Sequence, residues 1–156
     1  MPTITVQIAP HFPGIPVDRP ALVELTRFVC TRFGVTGAEV SIGIVDDAEM
    51  SRLNEEFLGC SGTTDCLSFD LSEEDGSGPG RVFDLIVNGE LALREAAARG
   101  HTGPAELALY ITHGLLHNLG FDDATPETAR EMHRMEDEIL QHLGYGFVYD
   151  EHGQLQ

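Results

Sequence analysis

The segment ITHGLLHNLGFDDATP, residues 111–126, carries residue types at spacings from which a metal site is built. His113 and His117 stand four apart, which on a helix puts two imidazoles on one face with Cβ atoms about 5–6 Å apart. Imidazoles so placed can converge on one ion at the usual Zn–N distance of about 2.0–2.1 Å. A third ligand cannot come from the same straight helix, because residue 123 would lie about 15 Å along the axis from His113. Gly120 removes that obstacle. A glycine takes the left-handed conformation that stops a helix and turns the chain back, so that Asp122 or Asp123 faces the histidines. Two nitrogens and one carboxylate leave a position open for water or substrate, as in catalytic zinc sites. The glutamate that serves a peptidase zinc helix as general base is absent, because Gly114 follows His113. The proton acceptor must then be another group or the substrate, for instance a phosphate oxygen.

Such a site needs elements to hold it. Leu107, Tyr110, Ile111, Leu115 and Leu119 recur at helical spacing, so a helix from Pro104 to Leu119 turns one face to the core. Upstream, TITVQI (3–8) alternates as a strand. Asp18 and Pro20 open a helix that stops at Gly34. AEVSIGIV (38–45) is a second strand, and Asp46 or Asp47 caps a helix through AEMSRLNEEFL. CLSFD (66–70) and RVFDLIVNG (81–89) form a hairpin around the acidic, glycine-rich 71–80, which is expected to be a flexible loop. Further helices are expected over roughly 90–99 and from Pro126 to Leu143, closed by Gly144, with a loosely held tail over 145–156. This order predicts an α+β fold: a single small domain spanning 1–156, with a mixed sheet of about four strands covered by helices and the metal-binding helix at its centre.

The charge balance limits the partners. Nine basic residues, all arginine, stand against 26 acidic ones, for a net charge of −17. Such acidity repels phosphate backbones at long range and disfavours a broad nucleic-acid surface, while leaving room for a local arginine-lined cleft. No apolar run approaches the roughly 20 residues needed to span a bilayer, and the N-terminus lacks the basic start of a secretory signal, so a cytoplasmic address without membrane contact is expected. Cys30, Cys60 and Cys66 are an odd set whose spacing fits no zinc knuckle or ribbon. All three are expected to be reduced, and Cys60 and Cys66 to be small buried side chains. His11, His101, His133, His142 and His152 lack metal-spaced partners and are expected at the surface.

HGLLHNLGFDD resembles the HGxLHxxGYDH signature of the YbeY family of bacterial rRNA-maturation endoribonucleases, and TTDCLSF (63–69) is similar to that family's T-[DN]-V-L-S-F. LNEEF (53–57) and MHRMEDEIL (132–140) match two further pieces, so the resemblance runs in order along nearly the whole chain. It implies a small α+β domain that binds one zinc or related divalent ion through His113, His117 and Asp123. It further implies cleavage of single-stranded RNA during maturation and quality control of ribosomal RNA, with the small ribosomal subunit as partner.

There are two departures. Asp123 stands where the family has a third histidine, and Leu58 where it usually has an arginine, a natural clamp for a scissile phosphate. Neither Arg52 nor Arg81 is expected to replace that clamp, and no catalytic residue outside the metal set is assigned. Two other functions compete with the metal-dependent endoribonuclease: a non-catalytic ribosome-associated metal-binding module, and a zincin-like metallopeptidase, which Gly114 opposes.

Overall fold

Ile4–Pro10 forms the first strand, β1, with Ile4 and Ile8 turned into the core and the alternate Thr5 and Gln7 left in solvent. The computed structural model describes residues 3–73 and 80–146. Asp18 caps α1 (Arg19–Arg32) by accepting Ala21 N–H, and Pro20 sits in the first turn, where a missing amide costs nothing. After α1 come β2 (Ala38–Val45), α2 (Asp47–Leu58, capped by Asp46) and the strands β3 (Cys66–Asp70) and β4 (Arg81–Asn88). Then follow α3 (Gly89–Arg99), α4 (Gly103–Asn118) and α5 (Pro126–His142). These elements match the sequence expectations to within a residue or two at their ends. The expected loop over 71–80 and tail over 145–156 fall partly at 74–79 and 147–156, outside the described residues.

The sheet order is β1-β2-β4-β3. β1, β2 and β4 run parallel and β3 returns antiparallel against β4, so the sheet is mixed, as expected. Register aligns the inward side chains in rows across the strands: Ile8, Ile42, Leu85 and Ser68 in one, Ile44, Val87 and Cys66 in the next. On the other face Leu67 packs with Val45 and Met50 under α2.

α4 touches β3, β4, α1, α3 and α5. Every residue from Ala105 to Thr112 is therefore buried, not only one face as the apolar spacing suggested. A helix enclosed by a sheet and three other helices has no solvent side over that stretch. No helix of the described residues is long and apolar enough to cross a membrane.

Candidate metal centre

Thr102 starts α4 by accepting Ala105 N–H on its hydroxyl at 3.2 Å, and Pro104 occupies the first turn. In its last turn and a half, α4 packs on the sheet at Gly114. A Cβ there would lie 2.7 Å from Cys66 Sγ and 2.9 Å from Leu85 Cδ2, closer than side chains pack. Glycine at 114 is thus what lets the helix lie close on β3 and β4. The position that a peptidase would use for its base has no room for a side chain.

The helix ends in a Schellman turn. Gly120 adopts φ +102, Phe121 N–H donates to Leu116 O at 3.0 Å, and Gly120 N–H donates to His117 O at 3.1 Å. Phe121 then packs edge-on against Phe33, which fixes the direction in which the chain leaves. Asp122 Oδ1 accepts Ala124 N–H at 3.1 Å, tying that side chain into its own turn, and these bonds hold its carboxyl below the ordinary range. Asp123 is the carboxylate that turns back, with Oδ2 3.9 Å from Nε2 of both His113 and His117. Among the described residues, His113, His117 and Asp123 are the one group whose ligand atoms could hold a metal ion, all within 4.8 Å of one another.

Both rings are oriented from behind. His117 Nδ1 faces the carbonyl of Phe121 at 3.1 Å, and because a carbonyl only accepts, this nitrogen carries its proton. His113 Nδ1 faces Glu136 Oε2 at 3.0 Å and donates to it. The two Nε2 atoms then turn bare lone pairs on each other at 3.0 Å, an arrangement that needs a positive charge between them. A single proton needs two acceptors, whereas here a third donor, Asp123, converges as well. Donors about 2.0–2.2 Å from one ion can be at most about 4.4 Å apart, and the separations of 3.0 and 3.9 Å fit that limit. The donor set therefore suits a borderline cation such as zinc.

Glu136 is fully buried on α5, and its Oε1 has no hydrogen-bond partner among the described residues. Burial pushes its carboxyl above the ordinary value, although the bond from His113 works in the opposite sense. Burial also pulls the His113 imidazole down, but the Glu136 bond and charge, with Asp65 and Asp123, more than offset this and leave it raised. Carboxylate–histidine–metal relays of this kind fix the tautomer and raise ligand basicity. Glu136 lies in the MHRMEDEIL piece that the sequence matched, but it was given no role there. The signal was a glutamate within the buried stripe Met132, Glu136, Ile139 and Leu140.

Leu58 is exposed at the end of α2 beside exposed Phe57 and supplies no cation. Arg52 lies at the surface, paired with Glu49 and Glu56. Arg81 does more than a surface residue: it bonds Asp70 at 2.9 Å, donates to Asn118 O at 3.2 Å at the end of α4, and lies over the Phe83 ring. The histidine expectations need correction. His101 is mostly buried and pairs with buried Glu106, and His133 is half-buried and acts on Glu136, whereas His142 is exposed as expected and stacks on Phe28. His11 is exposed, and His152 lies outside the described residues. Cys30 is buried, with its thiol pushed up to about 11 by burial, and burial raises the Cys66 thiol as well; Cys60, against expectation, is exposed.

A family profile described as Endoribonuclease YbeY matches residues 19–144. The chain is 37% identical over 134 residues to the Endoribonuclease YbeY of a Nocardioides species, covering 81% of this chain and 90% of that protein. It is 37% identical over 137 residues to the Endoribonuclease YbeY of Mycobacterium ulcerans, covering 82% and 77%. The solution structure of TM1509 from Thermotoga maritima shares the fold at a TM-score of 0.62 and 23% identity, covering 89% of each chain.

Proposed function

The chain belongs to the YbeY family of endoribonucleases, and from this premise we propose that it is a metal-dependent endoribonuclease that cuts single-stranded RNA in maturing ribosomal RNA. His113, His117 and Asp123 hold one zinc or related divalent ion per chain. One observation carries this reading: two Nε2 atoms 3.0 Å apart, both Nδ1 atoms committed to acceptors, and a carboxylate 3.9 Å from each. The proposal takes residues 1–156 as one domain, places the protein in the cytoplasm and gives it the small ribosomal subunit as partner.

When bound, the ion supplies Lewis acidity toward a phosphate oxygen and lowers the pKa of a coordinated water. The chain's own residues do the positioning. Glu136 holds the His113 ring and the Phe121 carbonyl holds the His117 ring, so both present Nε2 without a search over rotamers. The Gly120 turn brings Asp123 within reach. Gly114 has no side chain to act as base and no space for one, which counts against a peptidase. With no general base assigned, a substrate phosphate oxygen is the acceptor this reading uses.

Metal-loaded protein given single-stranded fragments of a ribosomal RNA end is expected to cut them, and His117→Ala is expected to abolish cutting. Equal cutting by both proteins would trace the activity to a contaminant. Co-sedimentation with small ribosomal subunits without cleavage would favour the non-catalytic module instead.

A further inference from the structure

Next to the metal residues, between the start of β3 and helices α3 and α4, lies a cavity of about 300 Å³ with His113 in its wall. That is the lower end of the roughly 300–1,000 Å³ range of small-ligand sites. Leu91 and Leu109 supply apolar surface, and Asp65 and Arg99 supply the polar groups this inference uses.

Asp65 is held by its backbone. Its carbonyl accepts Asn88 N–H at 2.9 Å, while Asn88 Nδ2 donates to Thr63 Oγ1 at 2.8 Å and Thr64 O at 3.3 Å. Its carboxylate is nearly unused: the one hydrogen bond it receives among the described residues is from Thr64 Oγ1 at 3.5 Å. Two oxygens with about four acceptor sites are thus held in the cavity wall. Arg99 is equally fixed, by Glu95 at 3.0 Å and by fully buried Glu106 at 2.5 Å. These bonds use two of the five guanidinium N–H groups and leave the others able to donate.

The charges decide what fits. Glu95 and Glu106 already offset Arg99, and Asp65 adds a further negative charge, so a phosphate would meet net repulsion. A neutral group with both donors and acceptors would not. Among RNA bases, guanine alone presents two adjacent N–H donors on its Watson–Crick edge, N1–H and N2–H, which match both oxygens of one carboxylate. Its O6 is an acceptor that arginine recognises. Bases of single-stranded RNA are read on this edge.

We propose that this cavity binds the guanine base of a nucleotide flanking the bond attacked at the metal centre, with Asp65 accepting N1–H and N2–H and Arg99 donating to O6. The inference rests on the nuclease reading for its role in cleavage but not for the binding itself. Two measurements separate the two. First, metal-free protein is titrated with GMP, AMP, CMP and UMP and followed by NMR shifts of residues 64–65 and 91–113. GMP is expected to bind about tenfold or more tighter than the others. Asp65→Asn replaces one acceptor oxygen with a donor and leaves the backbone anchor in place, and it is expected to erase that preference. Leu91→Phe, which fills the cavity, is expected to weaken all binding. Second, cleavage ends are mapped on a mixed-sequence single-stranded RNA, where wild-type cuts cluster beside guanines and Asp65→Asn cuts do not. Cleavage with no guanine bias, or equal binding of all four nucleotides, would overturn the cavity proposal while the nuclease reading stands. Selective GMP binding without any RNA cleavage would sink the nuclease reading and keep the site.

Discussion

Glu136 reaches His113 from 23 positions further along the chain, and the 3.0 Å bond between them is what commits His113 Nδ1 to donation. Removing a carboxylate behind a metal-bound histidine typically weakens metal affinity about 10–100-fold. Glu136→Ala is therefore expected to lose zinc to a chelator at about 10–100-fold lower chelator activity than wild type. Glu136→Gln, which keeps the volume and one acceptor oxygen, is expected to lose less. Equal retention by all three proteins would mean that the His113 ring is held by packing alone. The two aspartates after Phe121 differ for a local reason. Asp122 satisfies its own turn, which leaves Asp123 to face the histidines. The histidine spacing was legible in the sequence because i and i+4 share a helix face. The choice between the aspartates was open to the spacing and came only with the family resemblance, because it depends on how the turn after Gly120 closes.

Between elements, the approach of α4 to β3 and β4 depends on Gly114. Alanine at an interior helix position gains about 1 kcal/mol over glycine from propensity, whereas overpacking a tight core costs about 1–3 kcal/mol. The contacts at 2.7 and 2.9 Å come from a short cysteine and a fully buried leucine, so the second effect prevails. Gly114→Ala is expected to lower unfolding stability by up to about 2 kcal/mol in urea titration, and a stabilised variant would show that the helix shifts freely. A second link joins α2 to α3, where Arg94 Nη1 donates to Asp47 at 2.8 Å and Asn88 Nδ2 also donates to Asp47. The Arg94 bond first, and then that from Asn88, hold the Asp47 carboxyl down at about 2 from 3.8, against the opposing effect of burial. Folded protein thus keeps Asp47 ionised at pH values where the unfolded chain binds the proton. The resulting stabilisation is fully present above about pH 4 and is lost as pH falls toward 2. Asp47→Asn is expected to flatten the stability–pH curve in that window and to leave its shape above pH 5 unchanged. Strand alternation, the cap at Asp18, a cap at Asp46 or Asp47 and the stop at Gly34 were all visible in the sequence, since each depends on residues within one turn; the structure decides for Asp46. The full enclosure of α4 was not, because it depends on which elements surround the helix.

Across the whole molecule, a net charge of −17 faces an RNA substrate, with no lysine and most arginines already tied to carboxylates or carbonyls. Long-range repulsion extends about 30 Å at 0.01 M salt and about 8 Å at 0.15 M. Ordinary nucleic-acid binding weakens steeply with salt because counterions are released from contacted phosphates. Here screening should win, so kcat/KM on single-stranded RNA is expected to rise between these salt concentrations. A steep fall would reveal a cationic surface larger than the described residues carry. The same division between near and far explains what could be read from the order of residues. Helix and strand positions, the paired histidines, the turn at Gly120 and the acidity follow from neighbours a few positions apart or from composition, and short-range sterics and hydrogen bonding suffice to set them. The bond from Glu136 to His113, the room denied at Gly114, and the cavity that joins residues 64–65 to 91–113 follow from packing between distant segments. The energies that settle these arise only once the sheet and helices have closed on one another.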